Sequence, residues 1–70
     1  MIPLVTEKSR VYHYPGGAQY TLENPLGLLS AETRFGAAHT VILGSSQRVE
    51  MNPGWHMIVI TQKPIESKNE

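Results

Sequence analysis

Short stretches in which apolar and polar residues alternate are separated by Pro- and Gly-rich punctuation along most of the chain. Alternation with period two marks half-buried strands. It predicts strands over Ser9–Tyr14, Ala18–Glu23, Leu28–Arg34, Ala38–Leu43, Gln47–Met51 and Trp55–Gln62. Gln47-Arg48-Val49-Glu50-Met51 alternates most cleanly, with Val49 and Met51 inward. Trp55-His56-Met57-Ile58-Val59-Ile60 is apolar on both alternating faces, which predicts a central strand covered on two sides.

The punctuation specifies turns. Tyr14-Pro15-Gly16-Gly17 and Asn52-Pro53-Gly54-Trp55 each place Pro second and Gly third, as a type II turn requires. The second should pair the Gln47–Met51 strand with the last one. Asn24-Pro25-Leu26-Gly27 fits a type I turn, and Gly44-Ser45-Ser46 is a looser loop. Residues 25–35 also fit a short helix. Asn24 would cap it, Pro25 would open it and Gly36 would end it, with Leu28, Leu29, Glu32 and Phe35 near one face.

Turn signals at such short intervals predict an all-β fold: a small antiparallel barrel or sandwich of five to six strands, SH3- or OB-like in size. One domain over residues 1–62 is expected, followed by a flexible, polar, Pro-broken tail over 63–70. The apolar arm Met1-Ile2-Pro3-Leu4-Val5 suits either a swap onto a neighbouring subunit or an extra edge strand of its own domain.

Size sharpens the picture. A 70-residue chain without Cys has neither disulfide staple nor thiolate metal site. Small chains bury a smaller share of their surface, so good packing or self-association must supply stability. A homodimer is expected on that ground. No apolar run approaches the roughly 20 residues of a membrane span, and Met1–Val5 lacks the features of a signal peptide. The expected compartment is cytoplasmic.

The six basic residues are balanced by six acidic ones, all Glu, so the chain lacks the charge signature of a nucleic-acid binder. Nucleophile chemistry would need Ser30, Ser45 or Ser46 to meet His39 or His56 and then Glu32 or Glu50, and nothing in the spacing indicates it. Paired carboxylates among Glu23, Glu32 and Glu50 are equally unsupported by spacing. His13, His39 and His56 fall in separate predicted strands and match no metal motif. The expectation is a non-enzymatic protein with no cofactor and no metal.

One stripe stands out. Lys8, Arg10, Tyr12 and Tyr14 share a strand face by alternation, and Tyr20 lies across the Pro15-Gly16-Gly17 turn. These rings are either cross-strand pairs that stabilise a hairpin or a contact platform. The partner-binding candidates are therefore Arg10, Tyr12, Tyr14 and Tyr20, with Arg34, Arg48 and Trp55 beside them. Trp55 suits either the core or an interface anchor.

In its size, its lack of Cys and its lack of catalytic motifs, the chain resembles short accessory proteins encoded by bacteriophages and prophages. That resemblance implies a protein that binds one host macromolecule, such as a defence complex, RNA polymerase or a repressor, and blocks or redirects it. The expected function is thus a protein-binding inhibitor or modulator of a host protein complex. Two alternatives remain: a single-stranded nucleic-acid binder that stacks bases on the stripe, and a small structural or assembly protein.

Overall fold

A computed structural model describes residues 1–64. It contains seven strands: β1 (Ile2–Pro3), β2 (Glu7–His13), β3 (Gln19–Glu23), β4 (Gly27–Thr33), β5 (Gly36–Ile42), β6 (Arg48–Met51) and β7 (Met57–Gln62). They form two antiparallel sheets, one ordered β1-β4-β5-β6 and the other β3-β2-β7. The sheets enclose a common core without closing into a barrel, which corrects the barrel expectation in favour of a sandwich. The end of the tail, 65–70, lies outside the described residues.

Alternation explains the core. Tyr12, Leu22, Leu28, Val41 and Met51 are each strand residues on an inward face, and Leu4 joins them from the β1–β2 link. Tyr14, Leu43, Val49, Trp55 and Ile58 pack around them. The expected inward direction of Val49 and Met51 therefore holds. Gly16 and Gly54 carry the positive φ (90° and 118°) that their Pro-Gly turns demand.

The helical alternative for residues 25–35 is corrected first. Residues 25–35 are not helical: β4 pairs residue for residue with β5 from Gly27↔Ile42 to Thr33↔Gly36. Gly36 ends a hairpin turn, not a helix, and its φ of 120° follows Arg34 and Phe35. Asn24 does not begin a helix; it takes a left-handed conformation (φ 51°). Pro25 and Leu26 then cross between the sheets, with Leu26 N–H bonded to the Ile42 carbonyl and Leu4 N–H to the Leu26 carbonyl.

The strands on either side of Asn52-Pro53-Gly54 do not pair. β6 pairs with β5, whereas β7 pairs with β2. The link Asn52–His56 is long enough to leave one sheet and enter the other, and the His56 N–H bonds to the His13 carbonyl on arrival. β7 is consequently an edge strand, with Met57, Val59 and Ile60 exposed, not a doubly covered one. The N-terminal arm supplies β1, an edge strand of its own domain, through Ile2↔Leu28 and Pro3↔Gly27. Among the described residues no helix is long and apolar enough to cross a membrane.

Candidate functional site

The stripe on β2 divides into two parts. Arg10 and Tyr12 face the core at 5% and 0% exposure, so they cannot meet a partner from where they stand. Lys8 is exposed and off the stripe. The cause is a bulge between Glu7 and Ser9, which breaks strict alternation. It brings Glu7 onto the same buried face as Arg10.

There the Arg10 guanidinium grips the Glu7 carboxylate with two bonds: Nε to Oε1 at 2.9 Å and Nη2 to Oε2 at 2.8 Å. A fork-to-fork pair of this kind satisfies both charges where water cannot. The carboxylate raises the Arg10 pKa, opposed by burial. Nη1 donates onward to the Tyr12 hydroxyl at 3.0 Å. That hydroxyl lies 2.7 Å from His39 Nδ1 on β5. Among the described residues no buried side-chain polar atom lacks a partner.

The direction of this chain follows from its donors. A guanidinium can only donate, so the Tyr12 oxygen accepts from Arg10, and His39 Nδ1 at 2.7 Å is the acceptor within reach of the buried phenol proton. A neutral His39 accepting at Nδ1 carries its proton on Nε2. Burial keeps His39 neutral by lowering its pKa, and the charge of Arg10 adds to this. Burial also raises the Tyr12 pKa, against the opposing bond from Arg10, so the phenol keeps its proton.

This tautomer bears on chemistry. Strand register sets Ser30 directly opposite His39, with Glu32 two residues further along β4. A general base for Ser30 needs an unprotonated Nε2 and an acceptor at Nδ1–H. His39 Nδ1 meets the Tyr12 hydroxyl, not a carboxylate, so the orienting acid of that template is not in place. Ser45 and Ser46 are exposed in the β5–β6 loop, and His56 is exposed in the β6–β7 link. Among the described residues no three metal-ligating side chains come together.

The outer part of the stripe opens to solvent. A chain of edge-on aromatic contacts runs outward from the core. Tyr12 meets Trp55 at 5.1 Å between ring centres, Trp55 meets Tyr14 at 6.4 Å, and Tyr14 meets Tyr20 at 5.5 Å. Such pairs are worth about 0.5–1.5 kcal/mol each beyond the area they bury. Trp55 is half-buried and also packs at a tilt of 48° on His39, 4.6 Å between ring centres, so it joins core and surface. The Tyr14 hydroxyl donates to the Asn52 carbonyl at 2.7 Å and fixes the β6–β7 link. Tyr20 ends the series at 50% exposure.

Tyr14, Ala18 and Tyr20 form one wall of a cleft of about 530 Å³. Glu50, Met51, Asn52 and Pro53 form the other. One wall is thus the β2–β3 hairpin end and the start of β3, and the other the end of β6 and the β6–β7 link. Among the described residues Glu50 is the one charged residue lining it. It also borders a smaller, more enclosed hollow of about 170 Å³ on the β4–β6 side, lined among others by Leu29, Ser30, His39 and Thr40.

Two sequence candidates lie elsewhere. Arg34 is exposed on the β4–β5 turn beside Phe35, its guanidinium 5.9 Å from that ring. Arg48 is exposed on β6, two residues before Glu50. The reading of the stripe missed Glu7, Asn52 and Pro53. Only the Pro-Gly turn pointed towards the last two.

The fold and site together define a small two-sheet antiparallel β-sandwich with an open, aromatic-walled cleft between the β2–β3 hairpin end and the β6–β7 link. Comparison of the chain with protein-family models, with curated proteins and with solved structures gives no match.

Proposed function

We propose that the protein is a non-enzymatic module that binds a protein partner stoichiometrically, as an inhibitor or modulator of a host protein complex. The observation that supports this most is the exposed Tyr20, held edge-on by Tyr14 at the mouth of an open cleft. A rigid aromatic ring with half its surface unburied is the kind of anchor that concentrates binding energy at interfaces. The titratable groups of the core, by contrast, are occupied with one another. The contact surface comprises Tyr14, Tyr20 and Pro53, with the exposed edge of Trp55 behind them.

The test is affinity capture from the native host, followed by titration of the recovered species into purified protein. A single protein that binds at one-to-one stoichiometry, and at least about tenfold more weakly to Tyr20→Ser, supports the proposal. Recovery of nucleic acid, with affinity falling steeply as salt rises, would replace it with the nucleic-acid alternative.

A further inference from the structure

We infer that β6 is a self-complementary edge through which two copies of this chain pair, antiparallel, about a two-fold axis at Val49. Gly44 and Gln47 exchange N–H···O bonds, and Leu43 N–H also reaches the Gln47 carbonyl, so two β5-side residues oppose one and the next pair, Ile42↔Arg48, is a non-bonded one. Bonded and non-bonded pairs alternate in an antiparallel ladder. With the register Val41↔Val49 and His39↔Met51, residues 49 and 51 spend their backbone groups on β5. The N–H and C=O groups of Arg48 and Glu50 therefore point away from the sheet. β6 is the terminal strand of its sheet, so among the described residues no strand pairs with that edge.

Side chains supply the second half. Arg48 and Glu50 are both exposed and share one face, and Val49 between them faces the core. A second β6 laid antiparallel with Val49 opposite the partner's Val49 sets Arg48 against the partner's Glu50 and Glu50 against the partner's Arg48. Opposite charges directly across strands are favourable, and like charges are not. Parity agrees as well. The residues that meet as ion pairs are those whose backbone groups face outward, so each Arg48–Glu50 pair also exchanges backbone hydrogen bonds.

A shift by one residue would leave Arg48 facing the partner's Val49 and lose both matches, so charge and backbone select one register. An exposed edge is ordinarily blunted by charge. Here the charges discourage other strands and fit a second copy. The contact is isologous and closes on itself, joining two four-stranded sheets into one. Glu50 and Met51 also line the cleft, so the seam lies beside it.

The test is sedimentation of the purified chain up to about 1 mM with charge-swap variants. All substitutions are at exposed positions, and matching thermal melts verify folding. Arg48→Glu alone and Glu50→Arg alone should each weaken the dimer at least about tenfold. The double variant R48E/E50R should restore it, because its edge is again self-complementary. An equimolar mixture of the two single variants should associate as a heterodimer.

A chain that stays monomeric at the highest concentration would overturn the inference. So would a dimer indifferent to the single swaps, or single swaps that neither the double variant nor the mixture rescues. The readout is self-association of the purified chain with no partner present, so its failure is distinguishable from a failure of the partner-binding titration, although Glu50 also lines the cleft.

Discussion

The two halves of the β2 stripe make opposite use of similar residues. Arg10 and Tyr12 are sealed between the sheets, and every polar atom they bring has a partner. Tyr14 and Tyr20 continue the same face by alternation, yet the sheets part around them and leave a cleft. A sealed polar chain raises the stakes of each bond, since a buried group left alone costs its full desolvation. An open aromatic wall loses little when altered and can gain from a partner. One strand thus holds the fold at one end and offers a surface at the other.

Breaking the sealed half should give the largest effects. Glu7→Ala leaves the Arg10 charge buried and unpaired, and chemical denaturation should show a loss of about 3–5 kcal/mol. Tyr12→Phe keeps the ring contacts with Trp55 and His39 but removes the hydroxyl that joins Arg10 to His39. A loss of about 1–3 kcal/mol is expected by the same measurement.

Acid should probe the same chain more gently. The folded protein lowers the His39 pKa from its ordinary 6.5, so the unfolded chain takes up that proton first. Stability from this group is therefore fully present above about pH 6.5 and declines as pH falls through and below that value. Thermal melts across this range should show the decline, and His39→Gln should flatten the part that His39 contributes.

The open half should respond least in stability. Tyr20→Ser forfeits one edge-on contact, with a cost within about 1.5 kcal/mol. Glu50→Gln is a surface change, expected to stay within about 0.5 kcal/mol.

The sequence carried much of this fold. Period-two alternation located β2 to β7 to within two residues at each end, because one face of each strand is buried and the Pro-Gly turns bound them. The assignment of strands to sheets was not legible. A turn motif such as Asn52-Pro53-Gly54 shows that the chain changes direction, but not which sheet it enters. The edge position of β7 was hidden for a related reason: Val59 and Met57 are apolar but face outward.

At the site, alternation correctly united Arg10, Tyr12 and Tyr14 but could not say which side was the interior. It also set Glu7 apart from Arg10, because an odd and an even position share a face only across a bulge. No local residue pattern marks that bulge. The Ser30–His39 juxtaposition likewise depended on a hairpin register that Gly36 fixes, in a segment that also had helical signals.

The separation of fold from surface is the central claim, and a paired titration tests it most directly. A captured protein partner is titrated by calorimetry into the wild-type chain and into Tyr20→Ser, with thermal melts of both. The account predicts binding at least about tenfold weaker in the variant, with its melting transition nearly in place. Equal affinity for both proteins would contradict it.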